Sequence, residues 1–213
     1  NKYDAVDIDI EAKTHKAIAV IQFKVEGQLI SRHPEYEMDD RLLLDKVNFS
    51  EGTILIGGKK YELKDKLFPT VDPENPLELT AEEKELMNTI SASFRHSEIL
   101  QKHIKFLYSH GSMYKIVNSN LLYHGCIPMD KDGNFTLTKF GAKACSGREY
   151  LEFIDSQARK AYFGKSGTDE KNNAKDFMWY LWCGAKSPLF GKDKMAAFEK
   201  YFIAEPKLHA EEM

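Results

Sequence analysis

Between Ile10 and Ser31 apolar residues recur at Ala17, Ile18, Ile21, Val25 and Leu29, a three-to-four-residue spacing. That rhythm puts them on one side of an α-helix, and Arg32-His33-Pro34 stops it, because proline cannot continue the helical hydrogen bonds. Asp39 to Val47 reads as a short second helix with its acids at the favourable N-terminal end. Thr53-Ile54-Leu55-Ile56 and Lys59-Lys60-Tyr61-Glu62-Leu63 flank Gly57-Gly58, which predicts a hairpin with a tight turn. Phe68 to Pro76 holds three prolines and reads as a loop.

Thr80-Ala81-Glu82-Glu83 has the form of a capping box. It opens a helical pattern through Leu86, Ile90, Phe94, Ile99, Phe106 and Leu107, with a break expected near Ser91–Ser93 and Gly111 as the left-handed stop. Met113–Val117 and Leu121–His124 form a second predicted hairpin around Asn118-Ser119, and Asp130–Gly133 a turn. Ser146-Gly147-Arg148-Glu149 reads as another capping box, starting a helix to about Phe163. A polar loop over Gly164–Asn173, an aromatic-rich helix over Ala174–Trp182, an irregular stretch to Lys192 and a helix over Lys194–Phe202 complete the pattern. The fold class expected is α+β and helix-rich, with short strands and no alternating strand-helix rhythm.

Composition narrows this only a little. The chain has 213 residues, 42% of them hydrophobic and 12% aromatic, which suits a packed domain. A net charge of −3 leaves no nucleic-acid footprint, and no apolar run approaches the ~18 residues a membrane crossing needs. Cys126, Cys145 and Cys183 are widely spaced, as expected of reduced thiols in the cytoplasm. A chain starting at Asn1 and ending at Glu211-Glu212-Met213 is expected to be a piece of something longer.

The chemistry concentrates at Asn120 to Pro128. Leu121-Leu122-Tyr123 reads as a short buried strand that delivers His124 to a surface, where Gly125 allows an immediate bend and Pro128 ends the strand. Neutral imidazole is the commonest metal ligand in proteins, and a strand end holds it rigidly. A hydrogen-bonded structural histidine is the other reading. His110-Gly111 repeats the dipeptide at a helix end, where dipole and cap explain it. His96, His103 and His110, spaced by seven, are expected on one helical face. Between Cys183 and Lys192 two glycines and Pro188 surround Lys186 and Lys192. An anchored loop of this kind suits a phosphoryl group, and a solvated loop explains it as well. Arg148, near a helix start, carries the same pair of readings.

His124-Gly125-Cys126-Ile127-Pro128 resembles the His-Gly-Gly element of calcineurin-like metallophosphoesterases. Several stretches are similar to the bacterial class III fructose-1,6-bisphosphatases in collinear order: His15–Lys24 with Glu26, Arg41–Leu44, His96-Ser97-Glu98 with His103, Asn120–Pro128, Gly147-Arg148-Glu149, Trp179–Trp182 with Ser187–Lys192, and Phe198-Glu199 with Tyr201–Ile203. The motifs D-x-H, G-D-x-x-D, G-N-H-[DE] and G-H-x-H, which such phosphatases also need, do not occur in the chain.

The resemblance implies an internal fragment of an enzyme that hydrolyses the 1-phosphate of fructose 1,6-bisphosphate, a gluconeogenic step giving fructose 6-phosphate and phosphate. It implies two divalent ions, manganese by family, that activate a bridging hydroxide. His124 would hold one ion, and Lys192, Lys186 and Arg148 would bind phosphate; no catalytic residue is assigned. Residues 1–115 would be a largely helical insertion with one hairpin, and 116–213 part of the metallophosphoesterase sandwich. One imidazole cannot make a tight divalent site, so the isolated chain is expected to be inactive. A non-catalytic helical interaction or regulatory module is the alternative function.

Overall fold

Asp7 caps the first helix: its carboxylate accepts from the Asp9 and Ile10 N–H groups. The structure, a computed structural model, describes residues 7–205. These divide into two compact units. One contains the described residues up to Pro34, Met38–Ser91 and those from Ala196 on; the other contains Glu35–Glu37 and Ala92–Met195. Along the chain the main change of unit falls at Ser91/Ala92. The fold class is α+β, with long helices and three small antiparallel sheets. Among the described residues no helix is long and apolar enough to cross a membrane.

In the first unit, α1 spans Ile8–Arg32. Its buried stripe runs through Val20, Lys24 and Gly27, whereas Ile18 faces solvent. Two short 3-10 turns, Asp39–Arg41 and Leu44–Lys46, replace the single helix expected there. The break lets Arg41 reach Glu199 at 2.8 Å while Leu43 and Leu44 enter the core. Strands β1 (Val47–Asn48), β2 (Thr53–Ile56) and β3 (Lys59–Glu62) form one sheet, in that order. Gly57 and Gly58 both have positive φ, as the predicted turn requires. Ile54, Phe68 and Val20 pack with Phe198 and Phe202 of α6, which spans only Ala197–Phe202.

Helix α2 (Ala81–His96) starts with the predicted capping box: Thr80 Oγ1 accepts from the Glu83 N–H at 3.2 Å, and Glu83 accepts from the Thr80 N–H at 2.9 Å. The same carboxylate accepts from Lys24, whose side chain is completely buried, at 2.8 Å. Burial pushes Glu83 upward, but Lys24, the Thr80 N–H and Thr70 outweigh it and hold the carboxyl below its usual range.

In the second unit, α3 spans Glu98–His110. The break before it falls at Ser97, not Ser91–Ser93, because Ser97 caps the Leu100 N–H. His96 thus ends one helix while His103 and His110 lie on the next, so the three share no single helical face, and all are exposed. Gly111 ends α3 in an extended conformation, φ −95°, rather than a left-handed one. Strands β4 (Tyr114–Val117) and β5 (Asn120–Tyr123) form the expected hairpin, with Asn118 and Ser119 at positive φ. A hairpin not expected from the sequence joins β6 (Thr138–Phe140) to β7 (Lys143–Cys145).

Helix α4 (Gly147–Phe163) follows without a capping box. Ser146 makes no side-chain cap, and Glu149 is drawn to Lys143 instead, at 2.5 Å. Helix α5 (Asp169–Cys183) begins inside the expected polar loop, since Thr168 caps the Lys171 N–H. Helices α4 and α5 enclose an aromatic cluster in which Phe140 meets Tyr150, Phe153, Phe177 and Tyr180 at 4.9–5.9 Å between centroids.

Candidate phosphate-binding and metal-ligand site

His124 follows the last residue of β5, at a bend, and its ring is exposed. Strand β5 itself is exposed along its length, not buried as its apolar run suggested, because among the described residues β4 is its only partner strand. Behind the ring, Gly125 has φ +80°, and a Cβ built there would lie 1.9 Å from the Pro188 carbonyl oxygen. The close approach serves a hydrogen bond, in which the Cys126 N–H donates to that same carbonyl at 2.8 Å. Gly191 lies against the Cys126 thiol from the other end of the loop. The histidine-bearing turn and the lysine-bearing loop are thus one contiguous structure.

The loop is pinned from beneath. Ser187, almost completely buried, donates to the Leu181 carbonyl at 2.6 Å and accepts from the Leu189 N–H at 3.2 Å. Tyr150 donates to the Lys186 carbonyl at 3.0 Å, and the Lys186 N–H donates to the Tyr180 hydroxyl at 3.3 Å. Burial raises both phenols, that of Tyr180 to about 12, so each stays neutral. Two tyrosines that stay neutral at ordinary pH therefore hold the backbone of Lys186 itself.

Lys192 is exposed, one residue beyond Gly191. Lys186 is half-buried and donates to Glu37 at 2.7 Å. That hydrogen bond and the Lys186 charge, helped by Lys139, hold the Glu37 carboxyl below its usual range. Arg148 is exposed, donates to Glu152 at 2.7 Å, and lies over the Tyr114 ring at 5.8 Å. Tyr114 pairs with Tyr123, the residue before His124, which brings Arg148 to the same hairpin end. All four candidate residues thus belong to the second unit, and three of them sit on the joined turn and loop. Sequence reasoning missed Glu37 and Lys139. Glu37 carries a left-handed backbone, φ 54°, that no residue pattern announces.

Among the described residues no three His, Cys, Asp or Glu side chains converge to hold an ion. His124 is one donor, and the residues present do not complete a two-metal centre. The three cysteines are free thiols.

The family model described as Firmicute fructose-1,6-bisphosphatase matches residues 1–213. A class 3 fructose-1,6-bisphosphatase from Clostridium beijerinckii is 55% identical over 210 residues, covering 99% of this chain and 32% of that protein. Its counterpart from Clostridium tetani is 53% identical over 208 residues, 98% of this chain and 31% of that protein. A third, from Listeria innocua, is 52% identical over 210 residues, with coverages of 99% and 32%. No solved structure matches. The chain spans about a third of the length of these relatives. By a family match over its whole length, the chain belongs to the Firmicute fructose-1,6-bisphosphatase family.

Proposed function

We propose that this chain is the portion of a fructose-1,6-bisphosphatase that carries one metal ligand and much of the phosphate-binding surface. The polypeptide containing it would release the 1-phosphate of fructose 1,6-bisphosphate, giving fructose 6-phosphate and phosphate in the cytoplasm. The observation that carries the reading is the Cys126–Pro188 hydrogen bond, which fastens His124 to the loop bearing Lys186 and Lys192.

An exposed ammonium on a pinned loop is a ready partner for a phosphoryl oxygen. Lys192 fills that role directly. Lys186 fills it by exchanging Glu37 for a substrate phosphate, since both are anions seeking the same ammonium. Arg148 would contact the second phosphate. His124 would be one of several ligands to a divalent ion, manganese by family, with the others on polypeptide outside this region. In this reading residues 1–115 are a largely helical insertion, and 116–213 form part of a metallophosphoesterase sandwich.

The test is a chimera in which this chain replaces the matching region of the Clostridium beijerinckii enzyme. Manganese-dependent phosphate release from fructose 1,6-bisphosphate is expected. His124→Ala should reduce kcat by at least about a hundredfold, in the range set by loss of a metal-centre group. Lys192→Ala should chiefly raise KM. Full activity in the His124→Ala chimera would make the imidazole structural and refute its role as ligand.

A further inference from the structure

Helix α3 has one broad apolar arc, and only part of it is covered. Leu100, Ile104 and Tyr108, at four-residue spacing, are half-buried on one side, from which Tyr108 reaches α4. There Tyr108 stacks on Tyr162 and donates to the Ala158 carbonyl at 3.0 Å, while Arg159 donates to the Tyr108 carbonyl at 2.7 Å. On the adjoining side, shared with His103 and His110, Ile99 is 69% and Phe106 61% exposed, and Leu107, at the border beside Leu100, is 64% exposed. The only aromatic neighbour described for Phe106 is the His110 ring, stacked at 4.4 Å on the same helix. At 100° per residue the apolar arc covers about 200°, twice the stripe a one-sided surface helix carries. No residue of α3 is buried. An apolar stripe marks the side of a helix that faces packed protein, yet among the described residues Ile99, Phe106 and Leu107 remain exposed.

We infer that the outer side of α3, Ile99, Phe106 and Leu107 with the two histidines, is the seat of polypeptide from the two thirds of the family's length that lies outside this region. The inference rests on the proposed function. Relatives three times as long supply enough chain to cover the helix. That chain must also come to this part of the second unit, because His124 needs co-ligands and follows α3 through the short β4–β5 hairpin. The hairpin repeats the pattern: Ile116, Leu121 and Tyr123, which share one face of the two-stranded sheet, are exposed. On that face Tyr114 meets α4, donating to Glu152 at 3.0 Å, yet most of the hairpin face is left exposed in the same stretch. A second copy of the chain is the competing occupant.

Hydroxyl-radical footprinting of the unsubstituted chimera reads these side chains without altering them. Modification of Phe106 and Leu107 is expected to be several-fold slower than in the same chimera unfolded in urea, in a sample shown to be monomeric by light scattering. Rates at Phe106 and Leu107 equal to those of the unfolded chain would overturn the inference. Protection that appears only as a dimer forms would overturn it in favour of a second copy. Phosphate release measured on the same sample is independent of this readout. An active chimera with unprotected Phe106 refutes the α3 seat alone, and an inactive one with protected Phe106 counts against the proposed function alone.

Discussion

At Gly125 two demands meet on one atom that is not there. Its φ of +80° disfavours any side chain, and the space a Cβ would take is filled by the Pro188 carbonyl. Gly125→Ala should therefore cost at least about 2 kcal/mol locally. The Cys126 amide, which closes the contact, should then exchange roughly thirtyfold faster. An unchanged exchange rate at Cys126 would mean that the loop is held by its tyrosines and Ser187 alone. The glycine was legible in the sequence as a bend after the histidine. Its partner was not, because nothing in residues 124–126 names a carbonyl more than sixty positions away. Glu37 was hidden for a similar reason: its role comes from Lys186, far along the chain, and from a backbone conformation without a sequence signature.

Elements were easiest to read where local chemistry closes on itself. The Gly57-Gly58 hairpin and the Thr80–Glu83 box are self-contained, and both occur as expected. Ser146-x-x-Glu149 has the same letters as a box, yet Lys143 competes for the carboxylate. The strands β6 and β7, three residues each, are too short to show a period. In the α1–α2 pairing, Lys24 occupies the buried stripe of α1 and reaches both Glu83 and the Thr70 carbonyl. Lys24→Met would leave a buried carboxylate without its cation and should cost about 3–5 kcal/mol in urea unfolding. Because the folded Glu83 is held below its ordinary value of 4.5, its contribution is complete above that pH and is lost as pH falls through the folded value. Lys24→Met should remove that acid-dependent loss, since protonation would then relieve the unpaired charge. Parallel acid profiles for the two proteins would show that the pair contributes nothing to the pH dependence.

On the scale of the molecule, family and fold class were both legible, the first through collinear stretches and the second through helical period. The two packing units carry no linker composition in the sequence, because residues 35–37 and those from 196 on belong to the unit opposite to that of their chain neighbours. Among the described residues no His, Cys, Asp or Glu joins His124 in a group of three, where a two-metal centre needs several ligands. The purified chain should accordingly release no phosphate from fructose 1,6-bisphosphate above the manganese-only blank, in a colorimetric assay at saturating manganese. Release that depends on His124 would refute the need for outside ligands.

The bond between Cys126 and the Pro188 carbonyl also constrains how such an enzyme can diversify. Lengthening or shortening the segment around Pro188 to admit a larger or smaller sugar would drag the imidazole with it. If the proposed function holds, changes of substrate size are therefore better tolerated at the Arg148 end, where an exposed guanidinium can be exchanged without disturbing the Cys126–Pro188 backbone contact.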